Sequence, residues 1–228
     1  MPYIYRLGKI VCAILILCLV VVTPSGAASE ENAKSAAVVK TRLAVIPFMA
    51  VEPDNASSTT VRCPLCGNVN SGGPVAEGAQ INLEEIFTDK LMGLKNVEII
   101  APERVAGAYR RISSASLKEP MLKVVCKAGR ELGADVVATG FVYRWRERVG
   151  YSYSAKTPAS VSFEIHLISV RDESILWRGV FDRTQKSLME DLFQASSFFK
   201  GGAKWVTARE LARLGVEEIF DTFPGFDH

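Results

Sequence analysis

Residues 131–142 read Glu-Leu-Gly-Ala-Asp-Val-Val-Ala-Thr-Gly-Phe-Val (ELGADVVATGFV) and hold a helix end, a turn and the start of a strand. Upstream, Pro120 opens a helix that runs to Leu132, with Leu122, Val125, Gly129 and Leu132 facing inward. Gly133 is placed as its C-cap, where a left-handed residue closes the last turn. Asp135 to Arg146 is a strand, apolar at first and then alternating. The alternation puts Val137, Phe141, Tyr143 and Trp145 on one face and Arg144 and Arg146 on the other.

Working outward, Val149 to Thr157 is a polar connection rich in Tyr and Ser. Val161, Phe163, Ile165 and Leu167 then alternate with Ser162, Glu164 and His166, the pattern of a half-buried antiparallel strand. Arg171 to Ser174 is a tight turn, and Ile175 to Arg183 a further strand with Ile175, Trp177 and Phe181 on one face. Ser187 to Phe193 reads as a short helix and Phe198 to Trp205 as an aromatic loop. Thr207 and Glu210 make a capping box for a last helix ending near Phe220. Toward the N-terminus, Arg42 to Phe48 (RLAVIPF) is a buried strand ending at Pro47, and Met49 to Gly78 a long loop. Ile81 to Leu94 is a helix with Leu83, Ile86, Phe87 and Leu91 inward, and with Asn82 and Glu85 as its N-terminal cap. A strand at Val97 to Ile100 and a helix from Pro102 to about Arg111 complete the series. The order β-α-β-α-α-β-β-β-α predicts an α/β (α+β) domain. Its mixed sheet has three to five strands and a C-terminal antiparallel meander, with helices packed on it.

The chain has 228 residues, 48% hydrophobic, with five cysteines and a formal charge of +2. Without Arg6 and Lys9, the only charged residues among the first 27, the basic residues equal the 25 acidic ones. A neutral remainder argues against gripping nucleic acid or an acidic membrane by bulk charge. Arg6 and Lys9 precede an apolar run from Ile10 to Val22, and Ser25, Gly26 and Ala27 supply a small-x-small cleavage signal. The run is short for a bilayer span, which needs about 20 residues. Residues 1–27 are therefore expected to be a signal peptide, with a retained anchor helix as the alternative. Lipid anchoring is not expected, because bulky Val11 and Leu17 precede Cys12 and Cys18. Residues 28–41 read as a flexible linker, 42–223 as one α/β domain with a cysteine-containing loop at 49–78, and 224–228 as a C-terminal tail. No further run of 18 apolar residues occurs, so no transmembrane helix is expected in the exported chain.

Two segments carry a resemblance. RLAVIPF at Arg42 to Phe48 and ELGADVVATGFV at Glu131 to Val142 resemble a group of exported bacterial envelope proteins. The group includes the curli secretion-channel protein, the lipoprotein activator of penicillin-binding proteins and the N-terminal domain of the translocation protein TolB. The resemblance spans roughly Arg42 to Phe223, apart from the cysteine loop. It implies their α/β fold and action by binding and assembly, and it carries over no catalytic residue. The lipobox of the lipoprotein members is missing, and the cysteine loop is an insertion relative to them.

Cys63-Pro64-Leu65-Cys66-Gly67 is the sharpest local signal. A CPxCG turn points two thiolates at one metal ion, and Gly67 relieves the backbone. Two further zinc ligands would have to come from Cys126, His166, His228, carboxylates or a second subunit. A Cys63–Cys66 disulfide suits an oxidising compartment and is the simpler reading. A catalytic thiol pair usually sits at a helix N-terminus, whereas Asn68 to Gly72 read as loop. Covalent haem needs a histidine where Gly67 stands. Cys126 reads as a buried inert thiol, and His166 as a structural or solvated strand residue. Arg144, Arg146 and Arg148 offer a basic strip, which is otherwise a solvated sheet face. Tyr151, Tyr153, Phe198, Phe199 and Trp205 offer an aromatic recognition surface, or pin loops onto the sheet. No GxSxG, Walker A or GxGxxG motif occurs, and the acid pairs Glu84/Glu85, Glu190/Asp191 and Glu217/Glu218 are sequence neighbours that point apart on helices.

These features lead to a non-enzymatic exported protein, periplasmic or outer-membrane associated, acting by protein binding or assembly. Its partner would be an envelope protein or itself, with peripheral membrane contact allowed and no nucleic acid. No cofactor is expected. The alternative is a periplasmic metal- or thiol-handling protein that uses Cys63 and Cys66, with zinc as the metal.

Overall fold

The computed structural model describes residues 40–53, 55, 58–152, 154–185 and 205–226. The proposed signal peptide, most of the linker, the helix expected at Ser187 to Phe193, and Tyr153, Phe198, Phe199 and His228 lie outside them.

The fold is mixed α/β, as expected. Strand β1 (Thr41–Val45) lies between β5 (Val97–Ile99) and β6 (Val136–Arg146) and is parallel to both, with Leu43 opposite Ile99 on one side and Val136 on the other. Strands β9 (Ser160–Ser169) and β10 (Ile175–Thr184) continue from β6 as the expected antiparallel meander. The sheet order is β10-β9-β6-β1-β5. RLAVIPF is not one strand: β1 ends at Val45, and the short β2 (Met49–Ala50) resumes pairing with β6 at Phe141 and Val142. Pro47 interrupts the ladder because it has no N–H to give. Counting β2, the described residues put six strands in the sheet rather than three to five.

Among the described residues, two helices cover each face. On one, α1 (Ala79–Met92) and α4 (Ala208–Phe220) bury Leu83, Phe87, Leu211 and Val216 against Val136, Val142, Phe163 and Ile165. On the other, α2 (Pro102–Ala115) and α3 (Met121–Leu132) bury Val105, Val125 and Leu132 against Ala44, Ile46, Val137 and Ile168. Three sequence signals act as read. Gly133 closes α3 at φ 65°, Thr207 and Glu210 form the capping box of α4, and Leu83, Ile86, Phe87 and Leu91 make the inner face of α1. The start of α1 differs. Its cap is Gly78, at φ 74°, rather than Asn82. Asn82 sits inside the first turn and donates to the Gly78 carbonyl at 3.0 Å. Ala79 is buried, so extending the helix by a turn adds apolar contact.

The β6 pattern also departs from simple alternation. Its register against β9 shifts between Val142 and Arg144, and a bulge of this kind reverses the facing of the residues beyond it. Phe141 and Tyr143 therefore belong to one cluster, while Trp145 joins the α1/α4 core on the opposite face.

The stretch read as a long loop contains a hairpin. Strands β3 (Thr60–Arg62) and β4 (Val69–Ser71) form an antiparallel hairpin. It lies against Phe141 and Tyr143, on the sheet face that α2 and α3 cover farther along. The polar connection after β6 is likewise a hairpin, β7 (Val149–Tyr151) with β8 (Ser154–Thr157). At the other end, Phe226, in the stretch read as a tail, is buried at 5.3 Å from the Phe223 ring.

Candidate functional site

The β3–β4 hairpin carries the cysteine turn at its tip. The Cys63 N–H donates to the Asn68 carbonyl at 2.8 Å, and the Gly67 N–H to the Cys63 carbonyl at 2.9 Å. Gly67 stands at φ 75°, where a side chain would be strained. The turn thus folds back on itself and aims both sulfurs toward the sheet.

Beneath it lies the polar face of β9. The period-2 alternation that turns Phe163 and Ile165 into the α1/α4 core turns Glu164 and His166 to the other side. Both are fully buried, because the hairpin covers them. Glu164 and His166 are thereby brought to Cys63 and Cys66. The Cys63 Sγ is 3.5 Å from the His166 Nε2, and the Cys66 Sγ is 3.3 Å from the Glu164 Oε1. The His166 Nε2 is 2.8 Å from the same oxygen. One donor atom from each of the four residues lies within 4.8 Å of every other.

The Glu164 carboxylate is the hub. Its Oε2 accepts from Asn70 Nδ2 at 2.8 Å and from the Tyr143 hydroxyl at 3.0 Å. Its Oε1 accepts from Arg178 Nε on β10 and faces His166. Burial by itself would push this carboxyl up, but the hydrogen bonds from His166 and Arg178 outweigh it and hold the group well below the usual carboxylate range. The two thiols diverge. Burial raises both. For Cys63 the hydrogen bonds from His166 and Tyr143 prevail and bring it down to about 7. Cys66, whose neighbours are Cys63 and Glu164, is pushed up to about 12. His166 is lowered by burial, yet Cys63 and Glu164 raise it above its ordinary value. Tyr143 is raised, first by burial and then by its contact with Cys63. The arrangement favours a thiolate–imidazolium pair at Cys63 and His166, and it collects soft and borderline donors of the kind transition metals take.

Cys63, Cys66 and Cys126 are free thiols in this structure. Cys126 is buried in the separate α2/α3 core, as its apolar setting implied. His166, read as structural or solvated, lies at the centre of the cluster. Glu164 belongs to no motif in the sequence. The signal that could have found it is the pair Glu164 and His166 two apart on a strand whose other face is wholly apolar.

Of the proposed surface residues, Arg144 and Arg146 share a face of β6, opposite Ser162 and Ser160 of β9. Arg144 bonds to Asp182 and, from Nε, to the Ser160 hydroxyl at 2.7 Å. Arg148, beyond the end of β6, donates to the Trp205 carbonyl at 2.7 Å. Arg144, Arg146 and Arg148 are each half-buried, and Tyr151 stands exposed on the β7–β8 hairpin.

No family model and no curated protein matches the chain. Several solved structures are similar in fold. The PelC dodecamer from Paraburkholderia phytofirmans is 14% identical, with a TM-score of 0.45 over 79% of this chain and 86% of that one. The hypothetical protein CT253 from Chlamydia trachomatis is 15% identical, with a TM-score of 0.44 over 80% and 95%. The LpoB C-terminal domain from Salmonella enterica is 13% identical, with a TM-score of 0.36 over 64% and 84%. Each likeness is one of fold alone. Among the described residues, no helix is long and apolar enough to cross a membrane.

Proposed function

We propose that this is an exported, non-enzymatic protein of the cell envelope that acts by binding a protein partner or by self-assembly. Export rests on the Arg6/Lys9 region and the apolar run from Ile10 to Val22. The observation that supports assembly is the exposed side of β10. This strand ends the sheet, and Ile175, Leu176 and Val180 are 40%, 50% and 40% exposed. Arg178, Val180 and Asp182 alternate onto one exposed face, and Leu176 stands exposed at the bulge that precedes them. An edge strand with apolar residues on an open face is a pairing surface.

The test is the oligomeric state of the full chain by light scattering, together with crosslinked pull-down from envelope extracts. Each would be repeated on a Leu176→Lys/Val180→Lys variant. The expected result is an oligomer or a retained partner that the variant loses. A monomer at every concentration with no retained envelope partner refutes the proposal.

The second reading, metal or thiol handling through Cys63 and Cys66, is favoured by the approach of that pair to Glu164 and His166. Cys63 is 3% exposed, which suits a resident ion better than one passed between proteins.

A further inference from the structure

We propose that Cys63, Cys66, His166 and Glu164 bind one divalent transition-metal ion of the zinc class, which fastens the β3–β4 hairpin to β9. It rests on the second reading above, and although Arg178 joins the site to the exposed face of β10, neither Leu176 nor Val180 supplies a ligand, so failure of the metal test and failure of the assembly test are distinguishable.

The distances fit a tetrahedral ion. Tetrahedral bonds of about 2.3 Å to sulfur and about 2.0–2.1 Å to nitrogen or oxygen set sulfur and its neighbouring donor about 3.5 Å apart. The observed separations are 3.5 Å from Cys63 Sγ to His166 Nε2 and 3.3 Å from Cys66 Sγ to Glu164 Oε1. The His166–Glu164 contact, 2.8 Å as a hydrogen bond, would open by about 0.6 Å to become a tetrahedron edge. The Cys63–Gly67 turn already points both sulfurs inward, and all four donor atoms lie within 4.8 Å of one another.

The surrounding layer of hydrogen bonds fits as well, since ligating groups are oriented by such a layer. The Glu164 Oε2 is held by Asn70 and Tyr143, which leaves Oε1 directed at the sulfurs. His166 presents Nε2 to the cluster, while its buried Nδ1 has no partner among the described residues. The buried hydroxyl of Thr139 also lacks one, and Thr139 lies directly across the ladder from His166. It is the available acceptor for the Nδ1–H of a metal-bound imidazole.

The charges select a divalent ion. With both thiols ionised, the two sulfurs and Glu164 carry three negative charges, and Arg178 supplies one positive. A divalent ion brings the buried set to neutrality, whereas a monovalent or trivalent ion leaves an uncompensated charge at high cost. As the ion binds, Cys66 gives up its thiol proton and His166 the proton on Nε2, both to solvent, and Cys63 already stands as the thiolate.

The hairpin has reason to need such a clasp. Its strands have three residues each, and a two-stranded hairpin alone is marginal in water. The contacts it makes with Phe141 and Tyr143 are few beside those of the helices.

The experiment is Co(II) titration of the reduced, metal-stripped full chain, monitored by optical spectroscopy, with metal content measured on the chain as isolated. One equivalent is expected, with the thiolate charge-transfer band and the intense d–d bands of a tetrahedral site, displaced by zinc. Cys63→Ser/Cys66→Ser should abolish the charge-transfer band, and His166→Gln should weaken affinity by at least about 100-fold. Asn70→Ala, in the outer layer, should weaken it by about 10–100-fold. Cys126→Ser should bind as the parent does. A reduced parent chain that gives no thiolate–cobalt band overturns the proposal, whether or not it was isolated as a disulfide. So does a band that survives loss of both cysteines. The parent spectrum and the Cys126→Ser control do not depend on whether the ligand variants fold.

Discussion

Removing the charge of Glu164 from the metal-free protein isolates the hydrogen-bonded hub. Its carboxylate takes Arg178 and His166 on Oε1 and Tyr143 and Asn70 on Oε2. In Glu164→Gln the amide has one acceptor left. Tyr143 can accept as well as donate, and Asn70 can turn its own amide, so both adjust to an N–H. Arg178 has only donors, so the glutamine oxygen must stay on its side. What is lost is the charge in two bonds, from about 1.5–3 to about 0.5–1.5 kcal/mol each, or about 2 kcal/mol in total. Glu164→Ala removes every acceptor and leaves a buried cavity, for about 4–5 kcal/mol. With a urea dependence of about 2 kcal/mol per molar, the midpoint should fall by about 1 M for Gln and about 2 M for Ala. Equilibrium unfolding at pH 7 in chelator and reductant, read by the fluorescence of Trp145 and Trp177, makes the measurement. Midpoints within about 0.3 M of the parent, or a glutamine variant as damaged as the alanine one, would refute the role given to this carboxylate.

Other expectations are as direct. In the reduced, metal-free chain with Cys12, Cys18, Cys66 and Cys126 each replaced by serine, Cys63 should ionise with a midpoint near pH 7, read by ultraviolet thiolate absorbance. A midpoint at the free-thiol value of about 8.5 would remove the His166 contribution. Glu164 is depressed on folding, so its stabilisation is complete above its unfolded value of about 4.3 and is lost as the pH falls through its folded value. His166 is raised, so its share is complete below about 6.5 and is lost as the pH rises through its folded value. Urea midpoints across pH should lose the acid limb in Glu164→Gln and the neutral-to-alkaline limb in His166→Gln; limbs unchanged in the variants would contradict the assignment. Gly140→Ala places a methyl 2.5 Å from the Phe48 ring, an overpacking of about 1–3 kcal/mol and a Tm lower by about 2–10 °C. A calorimetric Tm equal to the parent's would show that Phe48 moves freely.

Local signals are most legible where one element satisfies itself. The Thr207/Glu210 box caps α4 with bonds three residues apart, and Gly133 ends α3 by its own backbone angle. They mislead where a neighbour decides. Asn82 looks like a cap, but burial of Ala79 carries α1 back to Gly78. Arg144 and Arg146 stay on one face beyond the bulge, but the pattern does not tell their partners: Arg144 bonds to Asp182 and Ser160, and Arg148 to the Trp205 carbonyl.

The alternation of Val161 to Leu167 determined by itself that Glu164 and His166 share a face, because successive side chains of any strand point oppositely. The Cys63–Gly67 spacing determined by itself that two sulfurs point one way. Only the tertiary structure decided that these two faces meet. The partners lie 98 and 103 residues apart. A strand pattern tells which residues turn away from the core and nothing of what lies over them. Here the hairpin lies over them, and a face that reads as solvated becomes a buried four-donor site.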